Sequence, residues 1–192
     1  MGLDPTLPFA LWLLPEQHCA DRLATTIAEL AQRHGARAFV PHITLCSSSN
    51  AADGAGLHQA ALALARRWSP LQLQVEGLQA GADVFTFLFL RLQLLHPPEA
   101  ALIREALEAL PDCHAPAVGL HLSLLYADPT PGSPGARIDR RALAQALAPQ
   151  LAPEGSGGVI RCDRLALVQP GPGGWRDGWP WKVVVTEPLM GH

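Results

Sequence analysis

Short apolar runs alternate along this chain with longer stretches in which apolar residues recur every three or four positions. In the first half, Phe9 to Leu14 is an apolar run closed by Pro15, which is typical of a buried strand. Glu16 to Arg33 has helical spacing and stops at Gly35, so it predicts a helix. The order continues with a strand at Phe39 to Cys46, a helix at Leu57 to Trp68 and a half-exposed strand at Leu71 to Val75.

The second half repeats this order. Val84 to Leu95 is the longest apolar run, with Phe85, Phe87 and Phe89 on one face, and its period of two favours a central strand. The elements expected after it are a helix at Glu99 to Leu110, a strand at Val118 to Tyr126, a helix from Asp139 to Leu147, and strands at Val159 to Val168 and Trp181 to Thr186. The chain thus contains two copies of one unit of strand, helix, strand, helix and strand.

Two such copies predict one bilobal domain over residues 1–192. The repeats that form the lobes span about 7–80 and 83–169, and the strand at 181–186 follows them. Pseudo-symmetric lobes would place the middle strands of the two repeats on either side of a central cleft. The loop at 128–136, with three prolines and two glycines, lies beside this cleft and is expected to act as a lid.

Each repeat carries a histidine and a hydroxyl on its middle strand. Because side chains alternate across a strand, His42 shares one face with Thr44, and His121 shares one face with Ser123. A histidine followed two positions later by a hydroxyl is only mildly unusual by chance. Both pairs, however, lie in apolar strands at matching places in the repeats, so we expect all four side chains to meet one substrate. Cys46 is expected on the same face if the first of these strands continues that far.

The two motifs resemble the signature of the 2H phosphoesterase superfamily, which is a pair of His-x-Thr/Ser sequences, and this resemblance implies a reaction that opens a cyclic phosphate. Neutral imidazole removes a proton from water and imidazolium gives one to the leaving sugar oxygen, so two histidines divide the two roles without a metal or cofactor. From the sequence we prefer His121 as the base and His42 as the acid. The hydroxyls of Thr44 and Ser123 would donate to the nonbridging phosphate oxygens. Tyr126, at the end of its strand, is expected to meet the nucleoside or the phosphate, with simple packing as the alternative.

The resemblance to the 2H phosphoesterase superfamily extends beyond the two motifs. The segments Pro41 to Leu45 and His121 to Tyr126 are similar to the cyclic phosphodiesterase branch found in plants and yeast, and so are Leu11 to Pro15 and Phe85 to Leu88. The resemblance implies an α+β fold with two lobes of mainly antiparallel sheet and flanking helices. It also implies that Trp12 lies near the substrate base, and that the substrate is a nucleoside 2′,3′-cyclic phosphate or ADP-ribose 1″,2″-cyclic phosphate.

Composition narrows the class of protein. With 48% hydrophobic and 16% charged residues, the 192-residue chain suits a folded globule, and its net charge of −3 argues against a general nucleic-acid binder. The four cysteines, Cys19, Cys46, Cys113 and Cys162, form no C-x-x-C pair, so buried free thiols are expected. No apolar run approaches the length of a membrane span, so we expect a cytoplasmic protein. We also expect a monomer whose partner is a small cyclic-phosphate nucleotide substrate.

Three alternatives stay open at this level. An RNA-end 2′,3′-cyclic phosphodiesterase or ligase-like relative would keep the fold but need basic residues near the motifs. A non-catalytic nucleotide-binding module would use the same side chains without turnover. In the third alternative, both imidazoles are satisfied core groups. His96 and His114, which lie close to prolines, are expected to be loop residues, and Trp175 and Trp179 are expected to pack.

Overall fold

The computed structural model of the protein describes residues 3–48, 54–110, 112–151 and 158–191. The elements of the first repeat follow the predicted order and are β1 (Ala10–Pro15), α1 (Gln17–His34), β2 (Ile43–Ser48), α2 (Gly54–Arg67) and β3 (Leu71–Gln79). The second repeat contains β4 (Leu88–His96), α3 (Glu99–Ala109), the short β5 (Cys113–His114), β6 (His121–Leu125), α4 (Arg140–Leu151) and β7 (Val159–Gln169). The four-residue helix α5 (Gly174–Asp177) and the strand β8 (Lys182–Pro188) follow.

Local chemistry explains where the principal helices begin and end. Helix α1 buries a stripe of residues at helical spacing, namely Cys19, Leu23, Ile27, Leu30 and Ala31. It ends at Gly35, whose φ of 63° is the left-handed conformation that glycine adopts most readily at this position. Asp139 caps α4, because its carboxylate accepts hydrogen bonds from the backbone N–H groups of Arg141 and Ala142 at 3.2 and 3.0 Å.

The strand pairings among the described residues are all antiparallel. They form one sheet in the order β1-β2-β6-β4-β3-β7-β8, with β5 attached to β2. Strand β7 pairs with β1 as well as with β3 and β8, so the path of pairing returns to its start. The predicted α+β fold with a mainly antiparallel sheet is therefore confirmed.

The two repeats exchange their last strands. Strand β1 pairs with β2 of its own repeat and with β7 of the other, and its counterpart β4 pairs with β6 and with β3. The middle strands β2 and β6 then meet directly, where Ile43 is the partner of Leu122. The two histidine strands are thus neighbours within one sheet and not opposite walls of a cleft, because each repeat completes its sheet with the partner's strand.

The sheet separates a large core from a small one. On the helix-covered side, Leu11, Leu13, Ile43 and Leu122 are fully buried with the apolar faces of the helices. On the other side a second cluster contains Ala10, Trp12, Leu14, Ala166 and Val168, with Trp175 and Trp181 packed against it. The polar members of the histidine strands emerge on this second side, beside an aromatic cluster that the helices leave uncovered.

The prediction of a strand from Val84 to Leu95 is wrong for its first four residues. Residues Val84–Thr86 form one turn of 3₁₀ helix, which Asp83 caps by accepting a hydrogen bond from the N–H of Phe85 at 2.9 Å. The strand begins only at Leu88, and its register shifts between Leu88 and Phe89. The three phenylalanines consequently do not share a face, since Phe85 lines the cleft described below while Phe87 lies in the main core.

The two histidine strands are shorter at their beginnings than predicted. Strand β2 starts at Ile43, after Pro41, which lacks a backbone donor, and it continues to Ser48 into the expected turn. Strand β6 starts at His121, after Gly119 with its φ of 70°. The remainder of that expected turn, at 49–50, and most of the expected joint at 154–158 lie outside the described residues. No helix in the described part of the chain is both long and apolar enough to cross a membrane.

Candidate active site

The two motifs interlock across the β2–β6 pair. Continuing the Ile43–Leu122 register places His42 opposite Ser123 and Thr44 opposite His121. Directly opposed side chains have Cβ atoms about 5 Å apart and diagonal ones about 7 to 8 Å apart, so the two histidines form one diagonal and the two hydroxyls the other. The four predicted groups therefore lie on one small patch of the sheet.

All six residues predicted for the site line a single cleft of about 350 Å³. They are His42, His121, Thr44, Ser123, Tyr126 and Trp12. The cleft also includes residues that sequence reasoning did not assign to the site, notably Ser47, Asp83, Phe85, Thr86 and Trp181. The interpretation of both histidines as dry core groups is thereby disfavoured, because each imidazole borders an opening large enough for a ligand.

Both imidazoles are held in the same tautomer. Nδ1 of His42 lies 2.7 Å from the carbonyl oxygen of Val40, and Nδ1 of His121 lies 2.9 Å from that of Gly119. A carbonyl oxygen only accepts, so each Nδ1 carries the proton and each Nε2 is left as the basic nitrogen. In both motifs the acceptor is two residues before the histidine, which repeats the pseudo-symmetry at the level of single atoms.

Gly119 is required by this arrangement. Its φ of 70° is in the left-handed region, and a Cβ atom there would approach the guanidinium of Arg91 and the carboxylate of Glu99 to 3.1 and 3.2 Å. The glycine lets the chain bend before β6 and present its carbonyl oxygen to His121. Its place in the motif thus follows from backbone geometry.

A bulge in each histidine strand brings a further residue into the cleft. The register of β1 with β2 shifts so that Leu45 and Cys46 both turn toward the core, and Ser47 returns to the cleft face. The register of β4 with β6 shifts at Leu124 and Leu125 in the same way. Tyr126 then occupies, relative to His121, the position that Ser47 occupies relative to His42. The expectation that Cys46 shares a face with His42 is therefore wrong.

Each histidine has an aromatic neighbour from the first strand of its own repeat. The ring of Trp12 stacks on His42 with centroids 3.5 Å apart and planes 12° from parallel. Phe89 contacts His121 edge to face at 5.4 Å. Trp12 is buried, and one of its faces is covered by the imidazole, so its clearest contribution is to orient His42.

The hydroxyl of Tyr126 meets the basic nitrogen of His42. The distance between Tyr126 Oη and His42 Nε2 is 3.4 Å, and the Tyr126 ring stacks on Phe39 with centroids 3.8 Å apart. Because Nε2 of His42 carries no proton, the phenol is the donor in this contact. The Tyr126 hydroxyl therefore occupies the position from which a water or substrate oxygen would approach Nε2 of His42.

The hydroxyls of Thr44 and Ser123 differ in their hydrogen bonds. Ser123 donates its proton to the carbonyl oxygen of Phe85 at 2.5 Å. The hydroxyl of Thr44 makes no hydrogen bond to any residue in the described part of the chain. The Thr44 hydroxyl is thus available to donate to a ligand, whereas the Ser123 proton is engaged by the Phe85 carbonyl oxygen.

Burial keeps both histidines neutral. The pKa of His42 is lowered from 6.5 to about 4, chiefly by burial and to a smaller extent by the nearby His121, while the Val40 carbonyl opposes the shift. Burial also lowers the pKa of His121, with Arg91 adding to the effect and the Gly119 carbonyl opposing it. Burial raises the pKa of the Tyr126 phenol. The free site therefore offers two neutral imidazoles and an un-ionised tyrosine near pH 7.

The low pKa of His42 makes folding stability depend on pH. Above pH 6.5 His42 is neutral in both states, whereas between pH 6.5 and about 4 only the unfolded chain binds the proton. The free energy of unfolding should therefore fall by about 3 kcal/mol on this account as the pH drops through that window. Urea unfolding at pH 7 and pH 4.5 measures it, and a His42→Gln variant should show a smaller loss. Equal losses in both proteins would contradict the burial argument.

Trp181 is the principal site residue that the sequence did not reveal. Its ring contacts the rings of Trp12, His42, Phe85, Tyr126, Trp175 and Trp179, with centroids 5.0 to 6.0 Å apart. Its indole N–H donates to the carbonyl oxygen of Trp175 at 3.0 Å. The sequence contains five tryptophans, and three of them lie within residues 175–181. This concentration was the sequence signal that could have indicated an aromatic site. Together these rings form an apolar wall suited to a nucleobase.

The predicted lid does not line the cleft. Residues 128–136 are tied to one another by hydrogen bonds from Thr130 and Ser133 to Asp128, and the carboxylate of Asp128 lies 3.6 Å from Arg176. The segment that does border the cleft on this side contributes Trp175 and Trp181. The described part of the chain contains no group of three His, Cys, Asp or Glu side chains arranged to hold a metal ion.

Comparison with known proteins identifies the fold. No family model matches the sequence, and no curated protein matches it either. Among solved structures, Escherichia coli LigT complexed with phosphate is similar at 12% identity, with a TM-score of 0.53 over 97% of this chain and 99% of LigT. TT0787 of Thermus thermophilus is 15% identical, with a TM-score of 0.55 over 97% of this chain and 100% of its own.

A third solved structure, described as a phosphoesterase, is 13% identical with a TM-score of 0.52 and covers 96% of this chain and 99% of its own. LigT, TT0787 and this phosphoesterase are members of the 2H phosphoesterase superfamily. The chain has their fold along nearly its whole length, so the fold expected from the two histidine motifs is confirmed.

Proposed function

We propose that the protein is a cyclic phosphodiesterase of the 2H type, which hydrolyses small cyclic phosphate esters without a metal ion. The observation that carries the proposal is that Ile43 pairs with Leu122 at the centre of the two motifs, and that both histidines and both hydroxyls line one cleft. One phosphate group placed over this patch would be within reach of two imidazoles and two hydroxyls. All of these groups come from one chain, which supports a functional monomer.

The reaction would proceed in line at phosphorus. One neutral imidazole takes a proton from water as the water oxygen bonds to phosphorus, and the other, as imidazolium, gives its proton to the sugar oxygen as the P–O bond breaks. Thr44 donates to a nonbridging oxygen, and Ser123 can do so after releasing Phe85. The anionic substrate itself promotes protonation of one histidine, because a nearby negative charge raises the pKa of an imidazole.

The difference in burial favours His42 as the base and His121 as the acid, which reverses the assignment preferred from the sequence. His42 is the more buried histidine, with a pKa of about 4, so it stays neutral when the substrate arrives. His121 is only partly buried and receives the proton more easily. Tyr126, hydrogen-bonded to Nε2 of His42, then occupies the position from which the attacking water is activated.

The cleft favours a small substrate over an RNA end. Its walls are aromatic, and none of its lining residues is Arg or Lys. An oligonucleotide would present further phosphates that such a surface does not neutralise. The proposed substrates are therefore a nucleoside 2′,3′-cyclic phosphate or ADP-ribose 1″,2″-cyclic phosphate, which carry fewer phosphates than an oligonucleotide.

A panel of cyclic phosphates tests the proposal, with products followed by phosphorus NMR and with a chelator present or absent. Hydrolysis of the small cyclic esters at the same rate with and without chelator is the expected result. Strong inhibition by the chelator would contradict the metal-free mechanism. Faster hydrolysis of an oligonucleotide that ends in a 2′,3′-cyclic phosphate would favour the RNA-end enzyme, and binding without turnover would favour a non-catalytic module.

A further inference from the structure

Asp83 carries the one charged side chain among the described residues that line the cleft. We infer that its carboxylate makes the site select substrates with a single phosphate over substrates that carry additional phosphates. This inference rests on the proposed function and deepens it, because it chooses a nucleoside 2′,3′-cyclic phosphate over ADP-ribose 1″,2″-cyclic phosphate. The latter carries a pyrophosphate in addition to its cyclic ester.

The distribution of cations supports this choice. The chain has 14 Arg and Lys residues, all of them within the described ranges, and none lines the cleft. Two of those near it have acidic partners, since Arg91 lies 3.5 Å from Glu76 and Arg176 lies 3.6 Å from Asp128. A third, Lys182, follows Trp181 in the chain but is exposed and lies outside the cleft lining. A second phosphate in the cleft would therefore meet no positive side chain.

The neighbouring groove does not supply the missing charge. It shares Trp12 and Trp181 with the cleft, so a long substrate would extend into it. Its cation, Arg164, contacts Asp163 at 3.1 Å and donates to the carbonyl oxygen of Pro15 at 2.9 Å. Asp21 lines the same groove. The charges there are already balanced, and a pyrophosphate would gain little from them.

The carboxylate of Asp83 is held at the rim of the cleft by the turn that it caps. One carboxylate oxygen accepts from the N–H of Phe85 at 2.9 Å, and Phe85 and Thr86 both line the cleft. The turn is closed from its other side, where the N–H of Gly81 donates to the carbonyl oxygen of Thr86 at 2.9 Å. A Cβ atom at Gly81 would lie 2.3 Å from that oxygen, so only glycine permits the closure. The negative charge is therefore fixed in position.

The effect expected from this charge is selective. The cyclic phosphate carries one negative charge, which the two imidazoles and the motif hydroxyls receive. Each additional phosphate brings a charge that the exposed carboxylate of Asp83 repels, and because solvent reaches this carboxylate the repulsion is modest and falls with added salt. Removing the Asp83 charge should therefore favour the more highly charged substrate, by about three- to tenfold in the ratio of the two kcat/KM values.

The Asp83→Asn variant removes the negative charge and keeps the cap of the 3₁₀ turn, because asparagine also caps helical turns through its side-chain oxygen. The matched control is Asp139→Asn, which changes another capping aspartate by the same atoms at a position outside the cleft. Thermal unfolding of both variants checks that the fold is retained. The measurement is kcat/KM for a nucleoside 2′,3′-cyclic phosphate and for ADP-ribose 1″,2″-cyclic phosphate.

The wild-type protein should prefer the nucleoside 2′,3′-cyclic phosphate, with a preference that narrows as salt is added. Asp83→Asn should shift the ratio toward the ADP-ribose compound about three- to tenfold, and Asp139→Asn should leave it unchanged. An unchanged ratio in Asp83→Asn, with the wild type active, would overturn this inference and leave the proposed function standing. Hydrolysis of neither substrate by the wild type would overturn both.

Discussion

Replacement of either His42 or His121 by alanine is expected to lower kcat/KM for a cyclic nucleotide by about 100-fold or more. In the proposed mechanism each residue supplies one of the two proton transfers, since both Nδ1 atoms contact backbone carbonyls and both Nε2 atoms are left basic. Steady-state kinetics of the two variants against a nucleoside 2′,3′-cyclic phosphate measure the loss. The pH profile of the wild type should be bell-shaped, as two titrating groups require.

His18→Ala is the matched control for these variants, because His18 is an exposed residue of α1 away from the cleft. It should retain full activity. His42 is 6% exposed and stacked on Trp12, so thermal unfolding and a His42→Gln variant are needed to separate loss of catalysis from loss of fold. Folded His42→Ala and His121→Ala proteins with near wild-type rates would refute the pairing of the two histidines.

Replacement of Trp181 by alanine is expected to raise KM about tenfold or more, because stacking of a base on an aromatic ring is worth about 1 to 3 kcal/mol. Trp181 borders both the cleft and the adjoining groove, and its ring contacts those of Phe85 and Tyr126. The effect should appear chiefly in KM, since the ring does not exchange protons with the substrate. Trp181→Phe should recover part of the affinity.

Trp68→Phe serves as the control for Trp181, since Trp68 lies outside the cleft and its indole N–H bonds to Glu105 at 2.9 Å. Its KM should stay at the wild-type value. Trp181 also lies 6.0 Å from His42, ring to ring, which is close enough to help hold the histidine in place. A fall in kcat with KM unchanged in Trp181→Ala would assign it that role and contradict base stacking.

The sequence predicted which polar groups lie together in the cleft because their pattern is local. Strand alternation alone places His42 with Thr44 and His121 with Ser123, and the repeated order of elements places the two pairs in equivalent strands. The structure brings all four into one patch, together with Trp12 and Tyr126. The helix boundaries that rest on local chemistry, such as Gly35 after α1, were predicted for the same reason.

What the sequence did not reveal depends on contacts between distant segments. The bulge that turns Cys46 inward and Ser47 toward the cleft is a feature of the β1–β2 register. The exchange of β3 and β7 between the repeats depends on which strand edges pair. The alternation of apolar and polar residues along a strand is the same whichever strand it pairs with. Phe85 was misplaced because an apolar run conceals the cap that Asp83 provides.

Trp181 illustrates the same limit. In the sequence it begins a strand-like run and follows a segment rich in glycine and proline, which gives it no definite direction. In the fold, β8 pairs with β7, and this pairing brings the residue before β8 over the cleft. The position of an aromatic ring at a site is thus set by strand pairing that local pattern does not encode.

The most direct test of the paired histidines is a crystal structure with uridine vanadate, a mimic of the pentacoordinate transition state. We expect Nε2 of His42 and Nε2 of His121 each to lie within about 3.2 Å of a different vanadate oxygen, with the Thr44 hydroxyl on a third. A vanadate bound elsewhere, or one that contacts a single histidine, would contradict the account.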